Sequence, residues 1–234
     1  MRDLILGIVD FREQRLPQYR ERFEKLGHQQ QPDTFFITCS DSRVVPNLLV
    51  STAPGNLFTM RNVGNLVPPA TADGISTGDV SEASAIEYAI LELKVKNIIV
   101  CGHSHCGAMK AILANKSMDG TPNLQKWLHL VQTAAFRLQH EGPLDDGFER
   151  WDQLSHLNVL VQLEHLMTYS IVREQVERGD VSLGGWWFQI ASGDMYAYER
   201  STRRFELIDR TEADRLIARL DGGNSPAPSA PATS

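Results

Sequence analysis

Along the first quarter of the chain, apolar residues recur at helical spacing and then switch to short unbroken runs. Leu4, Ile8 and Phe11, followed by Tyr19, Phe23 and Leu26, mark one helix face. Pro17 interrupts them, so the pattern predicts two consecutive amphipathic helices over residues 2 to 27. An opening arm of this kind must bury its apolar face on its own domain or on a partner chain. The runs Phe35–Thr38, Leu57–Met60 and Asn97–Val100 are each followed by polar or glycine-rich residues and a helical pattern. Continuous apolar strands of this length predict an α/β fold, a central and largely parallel sheet flanked by helices. Ahead of the third run, Ala83, Ile86, Ile90 and Leu93 share a face of a helix over about residues 80 to 93.

From about 122 to 178 the pattern is helical, with stripes at Trp127, Leu130, Val131, Ala134 and Leu138 and again at Val159, Leu163 and Leu166. Gly142 to Gly147 separates two of these segments. Residues 184–190 and 195–198, joined by Ser192-Gly-Asp194, read as a hairpin at a sheet edge, followed by a further short strand over 205–208. These patterns place one domain over residues 1–219, with 1–27 as its arm. A tail over 220–234 ends in Gly, Asn, Ser, Pro, Ala and Thr, a composition that predicts disorder.

Composition narrows the function. Of 234 residues, 42% are hydrophobic, enough for one substantial core, and the formal net charge is −6 with basic residues scattered. That charge argues against a nucleic-acid partner and leaves small-molecule chemistry open. No stretch approaches a membrane span, and Asp3, Asp10 and Glu13 interrupt the N-terminal apolar pattern, so no secretory signal is expected. Three cysteines in apolar or glycine-rich settings point to reduced thiols or metal ligands and to a cytoplasmic location.

Two separated strings carry the chemistry, Cys39-Ser-Asp-Ser-Arg43 and His103-Ser-His-Cys106. Together they supply two thiolates, an imidazole, a carboxylate and a guanidinium. Both follow predicted strands, where open α/β sheets place their ligand crevice. Cys39, His103 and Cys106 form a donor set suited to zinc, with a fourth position left for water or substrate. Two thiolates and a neutral histidine cancel the charge of the ion, so a bound water is expected to be less acidic than in a three-histidine site. Asp41 and Arg43 are placed to pair, the guanidinium aiming the carboxylate. His105 reads as a solvent-facing residue or a proton shuttle, Cys101 as core, and Trp186 and Trp187 as packing or interface residues.

The strings CSDSRV and CGHSHCGAMK resemble the two signatures of the β-class carbonic anhydrases. The similarity extends through MRDLILGIVDFRE, RNVGNLVPP, AIEYAILELKVKNIIVCGH and RGDVSLGGWWFQI. It is nearest in look to the carboxysome-associated cyanobacterial members; the resemblance leaves a carboxysomal location open, but this chain lacks their long C-terminal extension, which weighs for the cytoplasmic one.

The resemblance implies one zinc per chain on Cys39, His103 and Cys106, and reversible hydration of carbon dioxide to bicarbonate and a proton by zinc-bound hydroxide. Asp41 and Arg43 match the dyad that serves the hydroxide. In the family's closed form the aspartate becomes the fourth ligand, and in the open form the arginine holds it off. Gln30, Phe58, Val63, Tyr88 and Gly107 match the substrate pocket, part of which comes from a second protomer in a homodimer or a multiple of dimers. A bicarbonate-regulated subgroup has tryptophan where this chain has Phe36, which favours the open form here. An apolar slot with one amide donor also suits a small, linear, uncharged substrate. Two other readings stay open: a hydrolase of carbonyl sulfide or carbon disulfide, and a non-catalytic, zinc-stapled bicarbonate-sensing scaffold.

Overall fold

The computed structural model describes residues 1–221, so nearly all of the tail lies outside the described residues. Six strands form one sheet: β1 (Thr34–Cys39), β2 (Leu57–Asn62), β3 (Asn97–His103), β4 (Ser182–Gln189), β5 (Asp194–Glu199) and β6 (Arg204–Leu207), in the order β2-β1-β3-β4-β5-β6. The first four run parallel, and β5 and β6 turn back antiparallel along one edge. This is the predicted α/β architecture with its edge hairpin. Both β1 and β3 extend beyond their apolar runs, through Cys39 and His103, because the ladder continues while the side chains change task.

The chain opens with α1 (Arg2–Asp10), a π-helical turn over Phe11–Arg15 and α2 (Leu16–Leu26). The expected interruption at Pro17 is milder than predicted. Pro17 occupies the first turn of α2, where its missing N–H costs nothing, and the wider turn absorbs the joint. Arg22 ties α2 to the chain before β2 through Pro54 O at 2.5 Å and through Asn56 Oδ1. Among the described residues, little covers the apolar face of α1, with Leu4 and Ile8 69% and 68% exposed.

The remaining helices are α3 (Pro46–Leu49), α4 (Val80–Glu87), α5 (Gly107–Leu113), α6 (Pro122–Leu128), α7 (Gln132–His140), α8 (Arg150–Leu166), α9 (Ser170–Glu177) and α10 (Arg210–Asp221). Strand alternation sorts the sheet's side chains into two layers. Phe35, Ile37, Ile98, Val100 and Trp187 pack with α4, α8 and α9, while Phe36, Ile99, Cys101 and Phe188 form a smaller cluster on the other face. Each large side chain buried in this way contributes about 1.5–3 kcal/mol. Trp187 is fully buried, and Trp186 is half-buried with its ring edge-on to Phe36. A third cluster, from α5 to α8, carries Leu66, Met109, Leu128, Leu154 and Val161 up to Cys39 and Cys106.

Helix α10 is absent from the sequence reading, although Ala213, Leu216, Ile217 and Leu220 have the spacing of an amphipathic helix. It is clasped by Glu199, which pairs with Arg215 and Arg219 and accepts the backbone N–H and hydroxyl of Ser201 at 2.8 and 2.7 Å. Burial alone would raise the Glu199 carboxyl, but these donors hold it at about 2. The ion pair therefore stabilises the fold above the ordinary carboxylate range, and that contribution is lost as pH falls from about 4 through 2. Because both arginines are partly exposed, we expect Glu199→Gln to cost about 1–2 kcal/mol at pH 7. Thermal melts should show a fall of about 2–8 °C at pH 7 that shrinks on acidification. An equal deficit at low pH would rule out the ion pair as its cause.

Candidate metal centre and active site

The chain leaves β1 toward β2 on one side and leaves β3 toward β4 on the other, so the connections diverge between β1 and β3. Such a switch point opens a crevice at the carboxyl ends of the strands. Cys39 closes β1 and His103 closes β3, which are neighbours in the sheet. Cys106 follows a tight turn and caps α5. The turn between His103 and Cys106 is tight rather than extended. His105 takes a left-handed conformation with φ +55° and presents its ring to solvent, with Nδ1 3.0 Å from Lys110 Nζ.

The two sulfurs and the imidazole of Cys39, Cys106 and His103 lie within 4.8 Å of one another, and all three residues are buried. His103 Nδ1 meets the Ser104 carbonyl at 2.8 Å. A carbonyl only accepts, so this nitrogen carries the proton and Nε2 presents its lone pair. Nε2 is buried without a hydrogen-bond partner among the described residues. An orphaned imidazole nitrogen aimed between two thiols fits a soft divalent ion such as zinc. Cys39 is driven toward the thiolate by a hydrogen bond from Cys106, against burial, with help from His103 and from the Gly64 N–H at 3.4 Å, while Cys106 is pushed up by the same sharing. A cation would relieve both.

Asp41 stands beside this cluster, with Oδ2 3.9 Å from His103 Nε2. Its carboxylate is gripped from one side. Arg43 Nε and the Arg43 backbone N–H donate to Oδ1 at 2.9 and 3.0 Å, and Nη2 donates to Oδ2 at 2.7 Å. This bidentate contact holds the carboxyl well below the usual carboxylate range, against its partial burial. Arg61 fixes the same loop through Cys39 O at 3.1 Å and Asp41 O at 2.7 Å.

Further anchors were not found by sequence reasoning. Trp127 Nε1 donates to Val63 O at 2.7 Å and Asn158 Nδ2 to Gly64 O at 3.1 Å, holding the loop that follows β2. Gly64 has φ +87°, which suits glycine. Gln162 accepts the Val67 N–H, and Ser155 donates to His103 O at 3.2 Å. Asp152, Ser155, Asn158 and Gln162 form a buried polar stripe at helical spacing along α8, and that stripe was the available signal. Gly102 makes the close approach possible, since a Cβ there would meet Val159 Cγ2 at 2.8 Å. Cys101 stays out of the cluster, fully buried, its thiol raised to about 12 by burial.

The family model described as carbonic anhydrase matches residues 34–195, which include all three of these donor residues. The chain belongs to the β-class carbonic anhydrases. A carbonic anhydrase of Synechococcus elongatus is 40% identical over 97% of this chain and 80% of its own length. One from Pseudomonas aeruginosa is 41% identical over 88% of this chain and 90% of its own. The structure of the β-carbonic anhydrase CcaA superposes with a TM-score of 0.81 at 38% identity, covering 88% of this chain and 98% of that one. A tetrameric β-carbonic anhydrase of Sordaria macrospora gives 0.73 at 30% identity, covering 84% and 95%. Among the described residues, no helix is long and apolar enough to cross a membrane.

The five residues matched to this family's pocket separate into two groups within the chain. Val63 and Gly107 lie at the carboxyl ends of the strands, beside the cluster. Gln30 precedes the amino end of β1, and Phe58 pairs in register with Phe35 near that same end. The Tyr88 ring sits 5.7 Å from that of Phe58. At roughly 3.3 Å per residue, Phe58 lies about 13 Å along its strand from Asn62, the partner of Cys39.

If the three donors share one ion, elemental analysis of purified protein should find about one zinc per chain. Cys39→Ala, His103→Ala and Cys106→Ala should each lose it, and Asp41→Ala should keep it. Zinc lost from the Asp41 variant would make that residue a structural ligand instead.

Proposed function

We propose that this carbonic anhydrase hydrates carbon dioxide to bicarbonate and a proton at Cys39, His103 and Cys106, with Asp41 and Arg43 as the catalytic dyad. The observation that carries the reading is the orphaned His103 Nε2 facing two buried thiols, with a carboxylate 3.9 Å away that is already committed to an arginine. Zinc held by these three residues would supply Lewis acidity and lower the pKa of a water at neutral pH. Asp41 accepts the hydrogen of the attacking oxygen and so aims that oxygen's lone pair at the substrate carbon. Arg43 keeps Asp41 ionised and away from the fourth position, which supports an open resting site, in keeping with Phe36. Buried thiolates leave little net positive charge at the site, so the attacking water should ionise only above neutrality.

The division of pocket residues supports a homodimer or a multiple of dimers. Gln30, Phe58 and Tyr88 lie toward the amino ends of the strands, too far from their own cluster to serve it, but a second copy packed on the β2 edge would receive them. Tyr88 is 43% exposed, and the uncovered face of α1 offers the apolar area that such a contact needs. An amide from Gln30 would then donate to the oxygen that becomes negative during attack. Relatives that carry the name carbonic anhydrase favour carbon dioxide over carbonyl sulfide or carbon disulfide.

Stopped-flow assays should show hydration rising from pH 6.5 to 9, with Asp41→Ala reducing kcat about 100-fold at unchanged zinc content. A flat profile contradicts the weakly acidic water, and a fully active variant contradicts the proposed dyad. Deleting residues 2–15 should shift the light-scattering mass toward the monomer, retain zinc and abolish hydration. An active monomer would show that each chain builds a complete pocket.

A further inference from the structure

Asp152 is 3% exposed in the first turn of α8, and its Oδ1 accepts the His105 backbone N–H at 2.6 Å. His105 turns the chain between the two donor residues of the second motif. Its φ of +55° lies in the left-handed region, which is unfavourable for a residue with a Cβ. Only with this turn does Cys106 come round to cap α5 three residues after His103 ends β3. The His105 side chain is exposed and meets Lys110 and, at 5.7 Å between ring centroids, Trp151, contacts that leave its peptide group to be held by other residues. The backbone contacts hold it. The N–H is fixed by Asp152, the carbonyl faces Arg43 Nη2 at 3.5 Å, and Ser155 fixes the carbonyl of His103 one helical turn farther along α8.

We propose that Asp152 is a positioning residue, whose carboxylate oxygen holds the His105 peptide in the left-handed turn that sets the relative placement of the His103 and Cys106 donor atoms. This rests on the reading of those residues as zinc ligands. Asp152 acts by accepting one backbone hydrogen bond, so an amide in its place can do the same and a methyl group cannot. Burying a carboxylate is costly, and burial indeed raises its pKa, so the charge itself is not the useful property. Without the acceptor, the turn relaxes, Cys106 is no longer held against His103, and the ion leaves more readily.

The test compares the zinc-loaded full chain with Asp152→Ala and Asp152→Asn. It reads zinc release to a colorimetric chelator, the visible spectrum of the cobalt-substituted protein, and the melting temperature. Asp152→Ala should release zinc at least tenfold faster and shift the cobalt bands, while Asp152→Asn should stay within twofold of the parent with an unchanged spectrum. If the alanine variant does not fold, Asp152→Ser, too short to reach the His105 N–H, takes its place with the same expectation. A lower melting temperature with zinc release and cobalt spectrum unchanged would make Asp152 a packing residue and overturn the proposal. An asparagine variant as impaired as alanine would also overturn it. Neither readout needs a substrate, so a parent protein that binds zinc without hydrating carbon dioxide would defeat the functional reading and leave this one to be judged separately.

Discussion

Two sulfurs and an imidazole nitrogen are held within 4.8 Å of one another inside the protein, and the surrounding structure is arranged around that crowding. Such a group is unfavourable without a cation, because thiolates repel and a buried ring nitrogen without a partner loses its water for nothing. The sheet provides the rigid base. β1 and β3 are paired neighbours whose chain connections diverge, so their carboxyl ends hold Cys39 and His103 side by side with no long loop to order. Gly102 then allows α8 to lie close beneath, and the polar stripe of that helix fixes the turns above.

The same constraint organises the charges. Asp41 is near enough to His103 to compete for a metal's open position, and Arg43 takes up the carboxylate through three hydrogen bonds. Arg61, on the neighbouring strand, supports the dyad loop through its carbonyls. The other residues matched to the family's pocket do not converge on the cluster within one chain. Phe58 and Tyr88 pack together toward the amino ends of the strands, away from their own cluster, and α1 carries apolar side chains that the described residues leave largely exposed. Both features support the proposed homodimer.

Much of the architecture was legible because the apolar runs at 35–38, 57–60 and 97–100 are too short for helices and too continuous for one-sided strands. The convergence of Cys39, His103 and Cys106 was legible too, because both strings sit at strand ends. Other features were hidden for physical reasons. Pro17 reads locally as a break, yet a first-turn proline costs a helix no hydrogen bond. The turn at His105 depends on Asp152, 47 residues later, and no local signal announces a left-handed histidine. The separation of Gln30, Phe58 and Tyr88 from the cluster follows from strand register, which pattern alone does not reveal. Helix α10 had a readable apolar spacing, but its ion pairs to Glu199 are contacts across the sheet edge that the pattern does not reveal.

The central claim is that three buried side chains hold one ion and that this ion is what makes the protein an enzyme. It is tested most directly by stripping the metal, titrating zinc back into the apoprotein and following stopped-flow carbon dioxide hydration at pH 8.5. The account predicts a rate that rises linearly with zinc and breaks at one ion per chain. Hydration that persists in the stripped protein, or full zinc occupancy without hydration, would contradict it.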